Sequence, residues 1–189
     1  MIGPLIMNTH PTLETARLKL RPYTEADIPE LLPLIGSHEV AATTLRIAHP
    51  YTEEHARAFI AMAQEADKIW LAITLRSDGR QIGGIGLRLS EPHQHAELGY
   101  WLGVAYWGQG YATEASREML RYGFEDRGLH RIFASYFKHN AASGHILRKL
   151  GMSYEGCQRQ HLQKWGEFID LELYGLLLQE WQISQGVRE

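Results

Sequence analysis

The chain reads as a mixed α/β single domain with about seven strands. Three observations predict this. Short apolar or alternating segments take turns with longer segments of helical spacing, and no linker-like stretch divides them. Ser77-Asp78-Gly79 separates two apolar segments with hairpin chemistry, so part of the sheet is antiparallel. Trp107-Gly108-Gln109-Gly110 follows the apolar stretch from Gly99 to Val104 and precedes a helical one, giving a strand, a tight turn and a helix start. A length of 189 residues fits one domain with a full-sized core.

The elements follow in order. Leu18-Lys19-Leu20-Arg21 alternates as a half-buried strand does, and Pro22 ends it. Thr24 to Ile35 is expected as a helix, with Thr24 as N-cap and Asp27 completing a capping-box pattern. Ile28, Leu31, Leu32 and Ile35 keep helical spacing, with Pro33 as the discordant residue. Thr52 starts a second helix to about Ala66, with Glu53 and Glu54 in its first turn. Strands are expected at Ile69–Leu75, Gln81–Leu89 and Ala96–Val104, the last containing Gly99, which suggests a bulge or a close approach. A helix from Thr113 to about Asp126 presents Ala112, Ala115, Ser116, Met119 and Gly123 on one close-packing face. Then come a strand at Arg131–Phe137, a helix at Ala141–Leu150 stopped by Gly151, and strands at Tyr154–Gln160 and Phe168–Leu177.

Composition narrows the function. A net charge of −3 gives no support to a nucleic-acid or anionic-membrane partner. No apolar run reaches the length of a membrane span, and Ile2 to Met7 is too short and lacks the basic flank of a signal peptide. Cys157 is the one cysteine, so no internal disulfide forms, which suits a reducing cytoplasm. It has no basic neighbourhood to make it a nucleophile. His93-Gln94-His95 offers two histidines without a third ligand, so a metal is not expected.

The glycine turn carries the chemistry. The first N–H groups of a helix have no partner inside it, and the dipole adds partial positive charge, so the expected ligand is a phosphate or pyrophosphate. A P-loop is excluded because no Gly-Lys-Ser/Thr follows the turn. A dinucleotide fingerprint would need a third Gly or Ala where Thr113 stands, and would sit near the start of a βαβ unit rather than past the midpoint of the chain.

A larger set of residues points further. It comprises Ala96-Glu97-Leu98-Gly99-Tyr100-Trp101-Leu102, the run Gly108 to Ala115, Asn140-Ala141-Ala142-Ser143, and Leu147-Arg148-Lys149-Leu150-Gly151-Met152. In this order the set resembles the GNAT acyl-CoA-dependent N-acetyltransferases. Leu13 to Pro22 is similar to the first strand of their ribosomal-protein N-terminal acetyltransferase subgroup. The likeness runs from about residue 12 to 178. It implies one acyltransferase domain at 12–180, between an N-terminal extension (1–11) and a C-terminal tail (181–189), with one mostly antiparallel central sheet of about seven strands, helices on both its faces, and a splay between the strands at 96–104 and 131–137.

The resemblance also implies a site. Acetyl-CoA is the co-substrate. Gln109, Gly110, Tyr111, Ala112 and Thr113 would hold its diphosphate. The strand backbone of Trp101, Leu102, Gly103 and Val104, with Asn140 and Ser143, would hold its pantetheine. An N–H near Trp101 would face the thioester oxygen. The chain departs from the family at three places. Trp107 stands where Gln or Arg is usual, Leu147 stands where many members carry a tyrosine acid, and His161-Leu162 stands where some of the subgroup carry a glutamate base.

Acetyl transfer requires the amine to lose a proton and a thiolate to leave. An α-amino group has a pKa of about 8 and a lysine about 10.4, so the free base of a lysine is scarcer at pH 7 by a factor worth about 3 kcal/mol. A protein N-terminus therefore asks less of the base. Glu97 is the candidate base and Ser143 the candidate donor to the thiolate, with His161 as a rival base. The acceptor is expected to be a primary amine, possibly a ribosomal protein N-terminus by subgroup resemblance, reached from the side of the first two helices. The alternatives are a small-molecule amine, or an acyl-CoA-binding module without turnover. A monomer or a homodimer fits equally.

Overall fold

The computed structural model describes residues 10–65 and 67–186. Eight strands form one sheet: β1 (Leu13–Glu14), β2 (Leu18–Pro22), β3 (Lys68–Leu75), β4 (Gln81–Ser90), β5 (His95–Leu102), β6 (Arg131–Phe137), β7 (Ser153–Lys164) and β8 (Glu167–Leu177). Six helices accompany it: α1 (Ile28–Ile35), α2 (His38–Ala42), α3 (Glu53–Ala63), α4 (Tyr111–Arg121), α5 (Ala141–Lys149) and α6 (Leu178–Ser184). The strand order is β1-β2-β3-β4-β5-β6-β8-β7. The expected mixed α/β architecture with an open, mostly antiparallel sheet is the one observed. The eighth strand is the two-residue β1, too short to show alternation.

One pairing sets the site. Strands β5 and β6 are parallel and pair at three positions, His95 with Arg131, Ala96 with Ile132 and Glu97 with Phe133. β5 then keeps its register with β4 on one side as far as Leu102, while β6 stays with β8 on the other as far as Phe137. The sheet therefore opens beyond Glu97, between the strands the sequence indicates.

Each face has its own core. Ala96, Leu98 and Leu102 of β5 pack with Ala115 and Met119 of α4 and Leu147 of α5. Trp101 packs on the other face with Tyr23, Leu31 and Ile35 and with Ala56 and Ile60 of α3. The small-residue face of α4 is buried as expected, including Ala115, Ser116 and Met119. A Cβ on Gly123 would come within 2.6 Å of Ile132.

Several boundaries differ from expectation. The segment Thr24–Ile35 begins as a 3-10 turn at Glu25–Asp27, and α1 starts at Ile28. The Asp27 carboxylate accepts from the Thr24 N–H at 2.7 Å, as the capping pattern predicts. Pro33 lies inside α1, which nevertheless continues to Ile35 and closes with the Gly36 N–H on the Leu32 carbonyl at 3.0 Å. Helix α3 stops at Ala63, and Ala66 lies outside the described residues. Helix α4 begins at Tyr111, two residues early, and its last turn widens at Tyr122–Asp126. Gly99 makes no bulge, since the β4–β5 register is unbroken. Its missing side chain accommodates Trp70, whose ring lies 2.9 Å from where a Cβ would stand.

The two short helices α2 and α6 have no counterpart in the expected elements. α6 occupies the first part of the segment taken as a tail, and residues 187–189 lie outside the described residues. Of the expected N-terminal extension, only His10 and Pro11 are described.

Candidate active site

The turn between β5 and α4 is built on backbone conformation. Gly108 and Gly110 have φ of +73° and +83°, which L-residues resist. Gly110 is the N-cap of α4, and the first ladder bond runs from the Glu114 N–H to the Gly110 carbonyl at 3.0 Å. The amides of Tyr111, Ala112 and Thr113 therefore stand ahead of the ladder. No atom lies within 4 Å of where a Cβ on Gly108 would be, and a Cβ on Gly110 would meet the Arg17 guanidinium at 3.4 Å. Such a nest of amides, with a cation beside it, fits a diphosphate.

Side chains stiffen the turn from behind. The Trp107 indole donates to the Leu102 carbonyl at 2.8 Å, and the Gln109 amide donates to the Ala105 carbonyl at 2.8 Å. Trp107 thus braces the turn by its ring N–H. Arg17 was not singled out in the sequence, yet it reaches the turn from the β1–β2 connection. It donates to the Gln109 carbonyl at 3.0 Å, pairs with Glu114 at 2.6 Å and lies over the Tyr111 ring at 4.4 Å. Burial alone would raise the pKa of Glu114, but hydrogen bonds from Thr15 and from the Arg17 backbone and side chain hold it below its ordinary value. A carboxylate in the first turn therefore stays neutralised beside an anion site.

Strand β5 ends sooner than expected. Gly103 still donates to the Ile82 carbonyl at 2.9 Å, but Val104 lies in an exposed 3-10 turn, Val104–Tyr106. The strand-like backbone expected from Trp101 to Val104 is thus restricted to its first part. Because the Gly103 N–H points at β4, alternation turns the backbone groups of Tyr100 and Leu102 toward the opening. Those of Trp101 point at β4. The amide near Trp101 that can face a thioester is therefore that of Tyr100 or Leu102.

Helix α5 borders the opening from the β6 side. The Asn140 side chain accepts from the Ser143 N–H at 3.3 Å, which makes Asn140 its N-cap. The Ser143 hydroxyl is 2.7 Å from the Tyr100 hydroxyl. This bond joins the two sides of the split sheet. Burial pushes the Tyr100 phenol up to about 12, although the bond to Ser143 works in the other direction. Tyr100 therefore remains protonated at neutral pH. Leu147 is buried in the core and has no polar role.

Glu97 lies on the opposite face. It is at the vertex of the opening, half-buried, with Gly99 and Trp101 further along the same face. Its carboxylate is paired with Arg88, the residue directly across on β4, and accepts from the Ser135 hydroxyl at 3.3 Å. Glu97 and Ser143 are thus brought to one opening from its two faces. His161 is not. It is exposed beside a register shift in β7, three strands from β5, about 14 Å at ordinary strand spacing.

His93 ends a 3-10 turn while His95 begins β5, and no metal-holding cluster of three side chains occurs among the described residues. The β7–β8 hairpin tip packs on the segment around α2. Lys164 is buried, donating to the carbonyls of Thr44 and Ile47, and Trp165 stacks on His38 at 4.8 Å. Burial lowers the Lys164 pKa.

A split mixed sheet with an amide nest at the start of the following helix defines an acyl-CoA-dependent N-acyltransferase architecture. The acetyltransferase (GNAT) domain family matches residues 17–153, and the chain belongs to that family. It is 33% identical over 172 residues to the N-acetyltransferase YoaA of Bacillus subtilis, covering 88% of this chain and 97% of that one. Over 84 residues it is 36% identical to the [ribosomal protein uS5]-alanine N-acetyltransferase of Escherichia coli, 44% of this chain and 43% of that one. A solved GNAT-family acetyltransferase from Bacillus anthracis superposes with a TM-score of 0.81 at 25% identity, covering 89% of this chain and 99% of that one. The chain is an acetyl-CoA-dependent N-acetyltransferase.

Proposed function

We propose that the chain transfers an acetyl group from acetyl-CoA to the α-amino group of a protein N-terminus, by direct transfer in a ternary complex. The observation that carries this reading is the placement of Glu97 and Ser143 on the two faces of one opening in the sheet. The co-substrate brings a thioester with a tolerable leaving group, since a thiol pKa is about 8.5. The amides from Gly108 to Thr113 take its diphosphate, and Asn140 and the opening-facing amides of Tyr100 and Leu102 align its arm. Glu97, directly or through a water, accepts the proton of the entering amine. Ser143 lends its hydroxyl hydrogen to the departing sulfur.

The Glu97 carboxylate is engaged by Arg88 and by the Ser135 hydroxyl. An α-amine, with a pKa of about 8, asks less of a carboxylate base than a lysine at about 10.4 does. The relative that acts on ribosomal protein uS5 supports the same class of acceptor.

Release of coenzyme A is to be followed over a panel of N-terminal peptides, free amino acids and polyamines, with mass spectrometry locating the acetyl group in an acetylated lysate. Acetylation at protein N-termini is expected. Turnover confined to small amines overturns the acceptor. Tight acetyl-CoA binding without release for any acceptor overturns catalysis.

A further inference from the structure

Beside the glycine turn lies a cavity of about 460 Å³, lined by Thr15, Gly110, Thr113, Glu114, Arg117 and Lys149. It runs from the amide nest down the outer side of α4 to the end of α5. Glu118 also reaches its wall. Both carboxylates there are already engaged, Glu114 with Arg17 and Glu118 with Arg121. The two cations are not. Arg117 makes one long bond, 3.4 Å, to the Lys149 carbonyl, which brings the two residues together. No carboxylate of the described residues forms an ion pair with either. Arg117 and Lys149 therefore leave two positive charges facing one cavity.

We infer that this cavity takes the 3′-phosphate on the adenosine end of coenzyme A. The inference rests on reading the glycine turn as the diphosphate site. From a diphosphate at Gly108–Thr113 the molecule runs two ways. The acyl arm must enter the opening near Ser143, at the start of α5. The adenosine must leave along α4 toward Lys149, at the end of α5. Arg117 is about 10 Å along the helix from Gly110, and its guanidinium meets the Lys149 carbonyl at 3.4 Å in the wall of the cavity that also reaches Gly110. A phosphate monoester on the ribose is the anionic group the molecule carries in that direction. Two exposed cations meet its charge, and a guanidinium is suited to paired phosphate oxygens.

The test is calorimetry with coenzyme A and with dephospho-coenzyme A, which lacks only that phosphate. The wild-type chain is expected to bind coenzyme A about tenfold tighter at low salt, with the ratio shrinking as salt rises. In R117Q/K149Q the ratio falls to near one, with the affinity for dephospho-coenzyme A kept within about twofold. Thermal melts establish that the variant is folded. Equal wild-type affinities for the two ligands overturn the inference and leave the glycine turn as the diphosphate site. An equal loss for both ligands in the variant also overturns it, because the cations then hold a part common to both. If inorganic phosphate alone protects the chain while the two ligands bind equally, the cavity is a free-anion site and the inference fails. Binding of neither ligand overturns the reading of the turn as well.

Discussion

Replacing Glu97 by Gln tests the proposed base. Gln keeps the shape and one acceptor for Arg88 and Ser135 but cannot take a proton. A positioned general base contributes about 10²–10⁴-fold. An α-amine, with a pKa of about 8, is roughly a tenth free base at pH 7, so the loss is expected at the lower end, about 10²-fold in kcat. In the variant the free amine must come from solution equilibrium. Its kcat then rises about tenfold per pH unit up to about pH 8 and levels off above it. For a lysine acceptor the same rise continues to about pH 10.4. Glu97 lies on the face away from Ser143, so KM for acetyl-CoA changes little. Stability falls by about 1 kcal/mol, because the pair with Arg88 is partly solvated. The assay is kcat and KM from thiol release between pH 6 and 9. An unchanged kcat across that range removes Glu97 from the mechanism.

Three further outcomes are expected. Tyr100→Phe and Ser143→Ala each lower kcat about tenfold, and the double variant is no slower than either single one, as a double-mutant cycle would register for one hydrogen-bonded unit. Gly110→Ala places a side chain at φ +83°, costing about 1–2 kcal/mol, or several degrees of Tm, and calorimetry shows weaker coenzyme A binding as the first amides tilt. Asp27→Asn removes the charge that accepts from both Arg21 nitrogens, at 2.9 and 2.6 Å, costing about 2–3 kcal/mol at pH 7 by denaturant unfolding. Burial alone would raise the Asp27 pKa, but Arg21 and Thr24 outweigh it and hold it low. Its contribution is therefore complete above the unfolded value of about 3.9 and fades as pH falls through the folded one, where variant and wild type converge.

The glycine turn was legible because its function is a backbone property, and Gly108 and Gly110 announce positive φ in the sequence itself. Strands β2 to β6 and β8 were legible because each buries an apolar pattern, which β7 does not. Glu97 and Ser143 could be placed near one opening, but their present partners could not. Arg88 pairs with Glu97 through a hairpin register that the irregular residues Glu91 to Gln94 conceal. Arg17 is 97 residues from Glu114, and no local pattern announces a contact over that separation. Tyr100 alternates with Trp101 across the sheet, so deciding which aromatic meets Ser143 required the strand phase. Helices α2 and α6, of five and seven residues, are too short to show a period.

In the proposed roles, Glu97 and Ser143 face the opening from its two sides, so each reactant would come and go by its own side. Initial-rate plots should then intersect rather than run parallel. A compound joining both halves would have to pass between β5 and β6, so a slender tether would outperform a bulky one.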